Sequence, residues 1–361
     1  MMQIEKKDSE KIKAICFLCA LMVVAIHCTA IPKDWWNGTL DMPKWIVALQ
    51  TLGTDTVARL AVPWFFVISG FFLVKNLSVS QDLGFSAMIR EIFSWWRKSV
   101  GKRLLTLGVP YLLWNLIYYI FKLATGKYGF DMMHCIAQLT GYDLYDVPAC
   151  GQFWYVRCVL VYVVFSPVFI VLFGRSHIGF AVIAALLACW FAGVWFPIPY
   201  MQLTDVQYIL FFGTGIYLGM RKDFGVPMKR MVCSVVACLF FVSVLGVLYG
   251  AVTRDAHLAG MSTKIMIATG LPVLWAAGGR IVALTERWKH LYGLAFFVYA
   301  MHVIFVSMTY KITVKMMSPV MYQSMGYLLK IAVGIMGSLI VGRILARFAP
   351  KALNVLCGGR G

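Results

Sequence analysis

The chain has 361 residues, of which 61% are hydrophobic and 13% charged, with a mean hydropathy of +0.79. A water-soluble fold of this length needs more polar surface, so the composition excludes an ordinary soluble globular protein and predicts an all-α polytopic membrane helix bundle. The formal net charge of +18 comes with no RNA- or DNA-reading motif, and in a membrane chain the positions of Lys and Arg say more than their sum, so no nucleic-acid partner is expected.

The start, "MMQIEKKDSEKIKAI", has a basic flank before an apolar run, as a signal peptide does. That run is long for a signal core, and "CTA" after His27 is a poor cleavage site, so it reads as an uncleaved first transmembrane helix. Hydropathy predicts about ten spans, near 12–31, 56–75, 104–122, 152–173, 178–196, 205–220, 230–250, 263–281, 292–310 and 324–346. The segment 76–103 mixes apolar and basic residues, a pattern that fits an interfacial amphipathic helix on the cytoplasmic side. Gly215 and Gly219 stand at GxxxG spacing in the sixth span and permit close helix approach. No internal repeat or linker is visible, so the chain reads as one membrane-embedded domain over 1–361 with no fused soluble domain.

Orientation follows from the loops. With the N-terminus inside, the cytoplasmic segments hold Lys6, Lys7, Lys11 and Lys13, then Arg90, Arg97, Lys98, Lys102 and Arg103. They continue with Arg175, Arg221, Lys222, Lys229, Arg230, Arg280, Arg287, Lys289, Arg347 and Lys351. The opposite loops carry fewer basic residues and hold Asp34, Asp41, Asp131, Asp143 and Asp146. The bias predicts both termini in the cytoplasm and His27 toward the outer end of the first helix. Most of the ten cysteines lie in apolar runs as small hydrophobes; Cys16 and Cys19 form a CxxC inside a helix without further ligands, so no metal site is expected. Cys135 and Cys150 share one polar loop, where a disulfide stays open.

Polar residues inside apolar spans are costly unless they face a partner or a polar cavity. Those that remain are His27, Arg59, Ser69, Asn115, Arg157 and His302. Arg59 reads either as an arginine snorkelling to the outer interface or as a functional cation one turn before Pro63. Arg157 follows Trp154 and Tyr155, which form either an aromatic belt with its anchor or a grip on a sugar or acyl group. His302, midway along the ninth span, is either a core histidine satisfied by a backbone carbonyl or a functional partner of His27.

Several stretches then resemble the acyltransferase-3 family of bacterial integral-membrane O-acyltransferases: "ALMVVAIH" ending at His27, "VPWFFVISGFFL", "VPYLLWN", "FWYV" and "FFVYAMH" ending at His302. They occur in the family's order and span nearly the whole chain. The resemblance implies a roughly ten-helix enzyme of the bacterial cytoplasmic membrane. Such an enzyme takes an acyl group, commonly acetyl, from cytoplasmic acyl-coenzyme A to a hydroxyl on an envelope glycan or lipid-linked sugar. It implies a catalytic role for His27 and matches Arg59 and His302 to recurring polar positions. The family's usual cation eleven residues before the first-helix histidine is Cys16 here, and Thr106 stands where a second arginine is common after Arg103.

The expected chemistry is general-base catalysis by His27, oriented or assisted by His302, on an acceptor hydroxyl. Arg59, Ser69, Asn115, Trp154, Tyr155 and Arg157 are the expected acceptor-binding residues. Lys13, Lys102 and Arg103 are expected to attract the coenzyme's phosphates in place of the missing cations. The rival reading is a transporter or flippase for an anionic lipid-linked sugar, with the same residues lining a path. The absence of a duplicated half and of a carboxylate within the spans weighs against it.

Overall fold

A computed structural model describes residues 6–29, 31–77, 84–140, 148–194, 205–221 and 230–359. Asp143, Asp146, Lys222 and Lys229, used above to orient the chain, lie outside them, as do residues 195–196 of the fifth expected span. Every regular element among the described residues is helical, so most backbone groups find their partners within their own segment, as a bilayer requires.

Helix α1, Lys6–Ile26, starts earlier and stops earlier than the first expected span, leaving His27 just beyond its last turn. The short α2, Lys33–Trp36, precedes α3, Lys44–Thr54, which runs through a 3-10 turn at Val57–Leu60 into α4, Ala61–Val74. Pro63 therefore falls in the first turn of α4, just after the 3-10 turn, within the continuous helical run Lys44–Val74.

Helix α5, Phe85–Ala124, joins much of the expected interfacial segment and the third span into one helix of 40 residues, about 60 Å long. Its glycines Gly101 and Gly108 face open space and no capping residue interrupts it. Then come α6, Met132–Thr140, α7, Trp154–Val164, and α8, Ser166–Gly174. The fourth expected span is thus broken, with a 77° bend between α7 and α8. Pro167 explains it: without its N–H the Val163 carbonyl loses its helical donor, and the Ser166 hydroxyl donates to that oxygen at 2.8 Å instead.

The remainder comprises α9, Ser176–Phe191, α10, Val206–Arg221, α11, Arg230–Thr253, and α12, Ala256–Thr285. A 3-10 stretch, Glu286–Leu294, leads to α13, Ala295–Met316, then α14, Pro319–Gln323, α15, Met325–Phe348, and α16, Pro350–Leu356. Among the described residues, five helical segments can cross a membrane by length and composition, or six if α7 and α8 count as one bent span. One of them, Ala256–Met316, has 61 residues, about 90 Å if straight, and so holds both the eighth and ninth expected spans around its 3-10 stretch. Helix α1 is not among them, since Lys6, Lys7, Asp8, Glu10, Lys11 and Lys13 occupy its first turns.

The chain divides into two compact units, Phe65–Phe224 with Pro350–Gly361, and Ile4–Trp64 with Gly225–Ala349. In the first, α5 packs against α6, α7, α8 and α16, and α10 packs on α8 and α9. Helices α4 and α10 meet almost backbone to backbone: a Cβ on Gly70 would lie 2.0 Å from the Phe212 carbonyl oxygen, and one on Gly215 would lie 2.0 Å from that of Val67. The GxxxG spacing seen in the sequence thus serves this crossing. In the second unit α1 packs on α12, α13, α15 and α3, α11 pairs with α12, and α13 pairs with α15. Trp35 Nε1 donates to the Ala251 carbonyl at 3.0 Å, and the Arg254 guanidinium lies 4.1 Å from the Trp35 ring centre and pairs with Asp41, fastening the segment after α1 onto the α11–α12 turn. Cys135 and Cys150 both stand as free thiols.

Because the α4–α10 crossing has no room for a methyl group, Gly215→Ala is expected to destabilise the protein by about 1–3 kcal/mol. The control Gly108→Ala, whose Cβ meets nothing within 4 Å, leaves stability unchanged or raised. Thermal unfolding of the purified variants in one detergent checks both.

Candidate functional site

The second unit brings the two expected catalytic residues together. The His27 and His302 ring centroids are 5.1 Å apart with planes at 48°. His302 is fully buried on α13, and its Nδ1 lies 3.0 Å from the carbonyl oxygen of Val298, one turn back on the same helix. A carbonyl only accepts, so in the neutral ring this contact places the proton on Nδ1 and leaves Nε2 with its lone pair. Nε2 is buried without a hydrogen-bond partner. His302 is thus satisfied by a backbone carbonyl at one nitrogen and has no hydrogen-bond partner at the other.

His27 follows the last residue of α1, and its backbone N–H donates to the carbonyls of Val23 and Val24 at 3.3 and 3.2 Å. Its side chain is exposed. The end of α1 is held in place by neighbours from α3 and α15. The Thr54 hydroxyl donates to the Ala25 carbonyl at 3.2 Å and lies 3.0 Å from the Tyr327 hydroxyl, which can donate to it. The Ala25 carbonyl also accepts the Cys28 N–H at 3.0 Å, so Thr54 adds a second donor from α3 to the last turn of α1. Gln50 Nε2 donates to the Gln323 carbonyl at 2.7 Å, and its Oε1 faces the Thr29 hydroxyl at 3.4 Å.

Arg59 lies exposed in the 3-10 turn before α4, in the same unit. Its Nε and Nη2 both donate to Asp55 Oδ1, at 3.1 and 2.5 Å, and its charge acts on His27. Lys330, which sequence reasoning missed, is 2% exposed in α15, with Nζ 3.3 Å from the Tyr322 hydroxyl and 4.7 Å from that ring's centre. It sits inside the tenth expected span, so the criterion that singled out His302 also applies to it. Tyr322 belongs to the turn between α13 and α15, and burial, with Tyr310 nearby, pushes its hydroxyl pKa up, so it stays a neutral phenol.

Of the expected donor-binding residues, Lys13 is exposed on α1. Lys11 instead packs inward: its ammonium lies 4.8 Å from the Trp275 ring centre and pairs with Asp8 at 3.2 Å, and its stem lies beside Gly278. Trp275 stacks on Trp64 at 6.2 Å, close to Cys16.

The other expected residues belong to the first unit. Ser69 Oγ and Tyr155 OH lie 2.7 Å apart, and the Tyr155 hydroxyl donates to the Phe65 carbonyl at 3.0 Å, which ties α7 to α4. The Trp154 ring lies 4.9 Å from Tyr208, which stacks on Phe66 at 4.9 Å, while Phe66 meets Tyr155 edge-on at 4.8 Å. Arg157, half-buried, follows this aromatic group on α7. Asn115 is fully buried with both ends of its amide used: Nδ2 donates to the Tyr111 carbonyl and Oδ1 accepts from the Cys150 N–H, each at 2.8 Å. Lys102 is exposed, whereas Arg103 Nη2 donates to the carbonyls of Leu73 and Phe72, at 2.5 and 3.3 Å, at the end of α4. Cations favour a helix C-terminus, so Arg103 caps α4.

A family model described as an acyltransferase domain matches residues 12–347 of this chain, nearly its whole length. A stretch of 115 residues is 30% identical to the serine/alanine racemase of Enterococcus gallinarum, covering 32% of this chain and 13% of that protein. The chain thus matches only a small part of the length of this curated relative. No solved structure matches the chain.

If Arg103 holds the end of α4, Arg103→Ala lowers stability by about 1–3 kcal/mol, while Lys102→Ala, at an exposed neighbour, has no measurable effect. Thermal midpoints of the two variants, measured side by side, decide it.

Proposed function

The chain belongs to the acyltransferase-3 family, and on that premise we propose that it moves an acyl group, acetyl by expectation, from cytoplasmic acyl-coenzyme A to a hydroxyl of an envelope glycan or lipid-linked sugar. The observation that carries this reading to particular residues is the His27–His302 pair, one ring exposed and the other buried with a free lone pair.

In the proposed mechanism the acceptor hydroxyl gives its proton to His27 as its oxygen attacks the thioester carbonyl. The C–O bond is then formed, and the tetrahedral intermediate collapses by breaking the C–S bond, the proton passing from His27 to the departing coenzyme sulfur. His302 is the positioning partner, since its Nε2 lone pair suits an N–H from the neighbouring imidazole and selects the tautomer that leaves a basic nitrogen toward the acceptor. Arg59 supplies positive charge near the developing oxyanion. Within the first unit, Trp154, Tyr155 and Arg157 are the proposed ring faces and cation for a sugar, with Ser69 and Asn115 holding the helices that carry them. Lys102 in the first unit and Lys13 in the second are each exposed, and Lys11 lies beside the Trp64–Trp275 stack; these are the proposed cations for the donor's phosphates.

The topology that goes with this reading has about ten spans and both termini in the cytoplasm of a bacterium, with the protein in the cytoplasmic membrane. That arrangement sets His27 toward the outer side and the charged start of α1 toward the donor.

His27→Ala is expected to lower acyl transfer by about 10²–10⁴-fold while leaving the thermal midpoint and membrane insertion intact. The readout is mass spectrometry of envelope glycans from cells carrying each version, backed by labelled acyl-coenzyme A consumption in proteoliposomes. An acyl-mass increment that persists at full level in the variant sinks the assignment.

A further inference from the structure

Lys330 is the only Lys, Arg, Asp or Glu that is buried among the described residues. An ammonium removed from water is expensive unless an opposite charge and hydrogen-bond acceptors replace its hydration. Lys330 has three N–H donors, and the contacts that the structure gives it are the hydroxyl and ring of Tyr322. None of the ion pairs among the described residues includes it.

Its position relates it to the histidines. At Gly334, one turn further along α15, a Cβ would lie 2.8 Å from Val24 on α1 and 3.0 Å from Val306 on α13, and 3.9 Å from the carbonyl oxygen of His302. Lys330 thus sits about 6 Å along α15 from the point where the three helices meet. Its charge acts on Cys28, the residue after His27, and Cys28, Val298 and Tyr327 belong to one packed cluster. A buried cation with no ion pair among the described residues, on the helix that packs against both α1 and α13, marks a place where a ligand completes the charge balance.

We infer that the Lys330 ammonium, under the Tyr322 ring, seats an oxyanion of the acceptor, so that the sugar accepting the acyl group carries a carboxylate or phosphate close to the reacting hydroxyl. This rests on the acyltransferase reading above for the word acceptor, but the binding itself does not need transfer to occur. The Tyr322 hydroxyl and ring lie against the ammonium, and that hydroxyl supplies a further donor once an oxyanion takes its place beside Nζ.

The test measures dissociation constants of the full chain in lipid nanodiscs for three probes: glucuronate, glucose 1-phosphate and neutral glucose. The wild type is expected to bind at least one anionic sugar tenfold or more tightly than glucose. Tighter binding of glucose 1-phosphate identifies a phosphate as the group, and tighter binding of glucuronate a carboxylate. Lys330→Gln is expected to remove the preference and Lys330→Arg to keep it. His27→Ala is expected to lose transfer and keep the preference, which separates a failure of this inference from a failure of the proposed reaction. Equal affinities in the wild type, no binding of either anion, or an unchanged preference in Lys330→Gln overturns the inference. Should the glutamine variant fail to fold, Tyr322→Ala serves instead: a change of threefold or more for the anionic sugars with none for glucose supports the site, and no change overturns it.

Discussion

The hydrogen bond between His302 Nδ1 and the Val298 carbonyl sets what the rest of the site can do. It joins two groups of a single helix, so it forms as α13 forms and needs no other element. It holds the ring against its own helix and commits the neutral imidazole to one tautomer. The consequence is a lone pair on Nε2 in a dry interior, a state that costs about 1–3 kcal/mol when nothing donates to it. Placing that lone pair beside the His27 ring then requires the end of α1 to stay where it is. Thr54, Tyr327 and Gln50 do this by closing groups around the last turn of α1, and Gly53 leaves room for the Tyr327 hydroxyl, which lies 2.2 Å from where a Cβ would stand.

The same rule of satisfied polar groups shapes the first unit with a different outcome. Pro167 removes a donor from the Val163 carbonyl, and the neighbouring Ser166 hydroxyl replaces it, so the chain bends and stays bonded. Pro110 deprives the Thr106 carbonyl in the same way, and the backbone of Gly358 packs against that oxygen so closely that a Cβ would lie 2.0 Å from it. Trp114 Nε1 donates to Leu356 one turn along, which fastens α16 to α5 at the proline. Where a polar group has a structural purpose, the chain supplies its partner locally.

Local signals made the helical class, the apolar runs and the motif-bearing histidines legible in the sequence, because composition and hydropathy need no knowledge of neighbours. Helix limits were less legible. The bend at Phe165 follows from Pro167, which stood in plain view, but an apolar run of spanning length masks a break when Ser166 repairs it. Continuity from Phe85 to Ala124 was hidden by a change from basic to apolar composition that alters no backbone preference. For Asn115 and Arg103 the residue type was visible and the partners were not. Both serve backbone groups that tertiary packing alone brings near: the Cys150 N–H in one case, the Leu73 carbonyl in the other. Lys11 and Lys13 differ only in which face of α1 they occupy, and the packing of α12 decides that.

The charge balance of the chain sharpens the meaning of Lys330. With 33 basic and 15 acidic residues, at least 18 cations have no carboxylate in the chain to pair with. For an exposed Lys or Arg at a membrane surface that is no burden, since water and anionic headgroups answer the charge. The ion pairs of the described residues follow this pattern: Arg59 with Asp55, Arg254 with Asp41 and Lys289 with Glu10 all retain substantial exposure and contribute little to stability. Lys330 breaks the pattern. It is buried within an apolar helix, and replacing it with an apolar residue of similar length would relieve the desolvation penalty at once. A fold has no use for such a group unless the charge itself is used, and an interior cation faced by one tyrosine is used most directly by an anion that comes and goes.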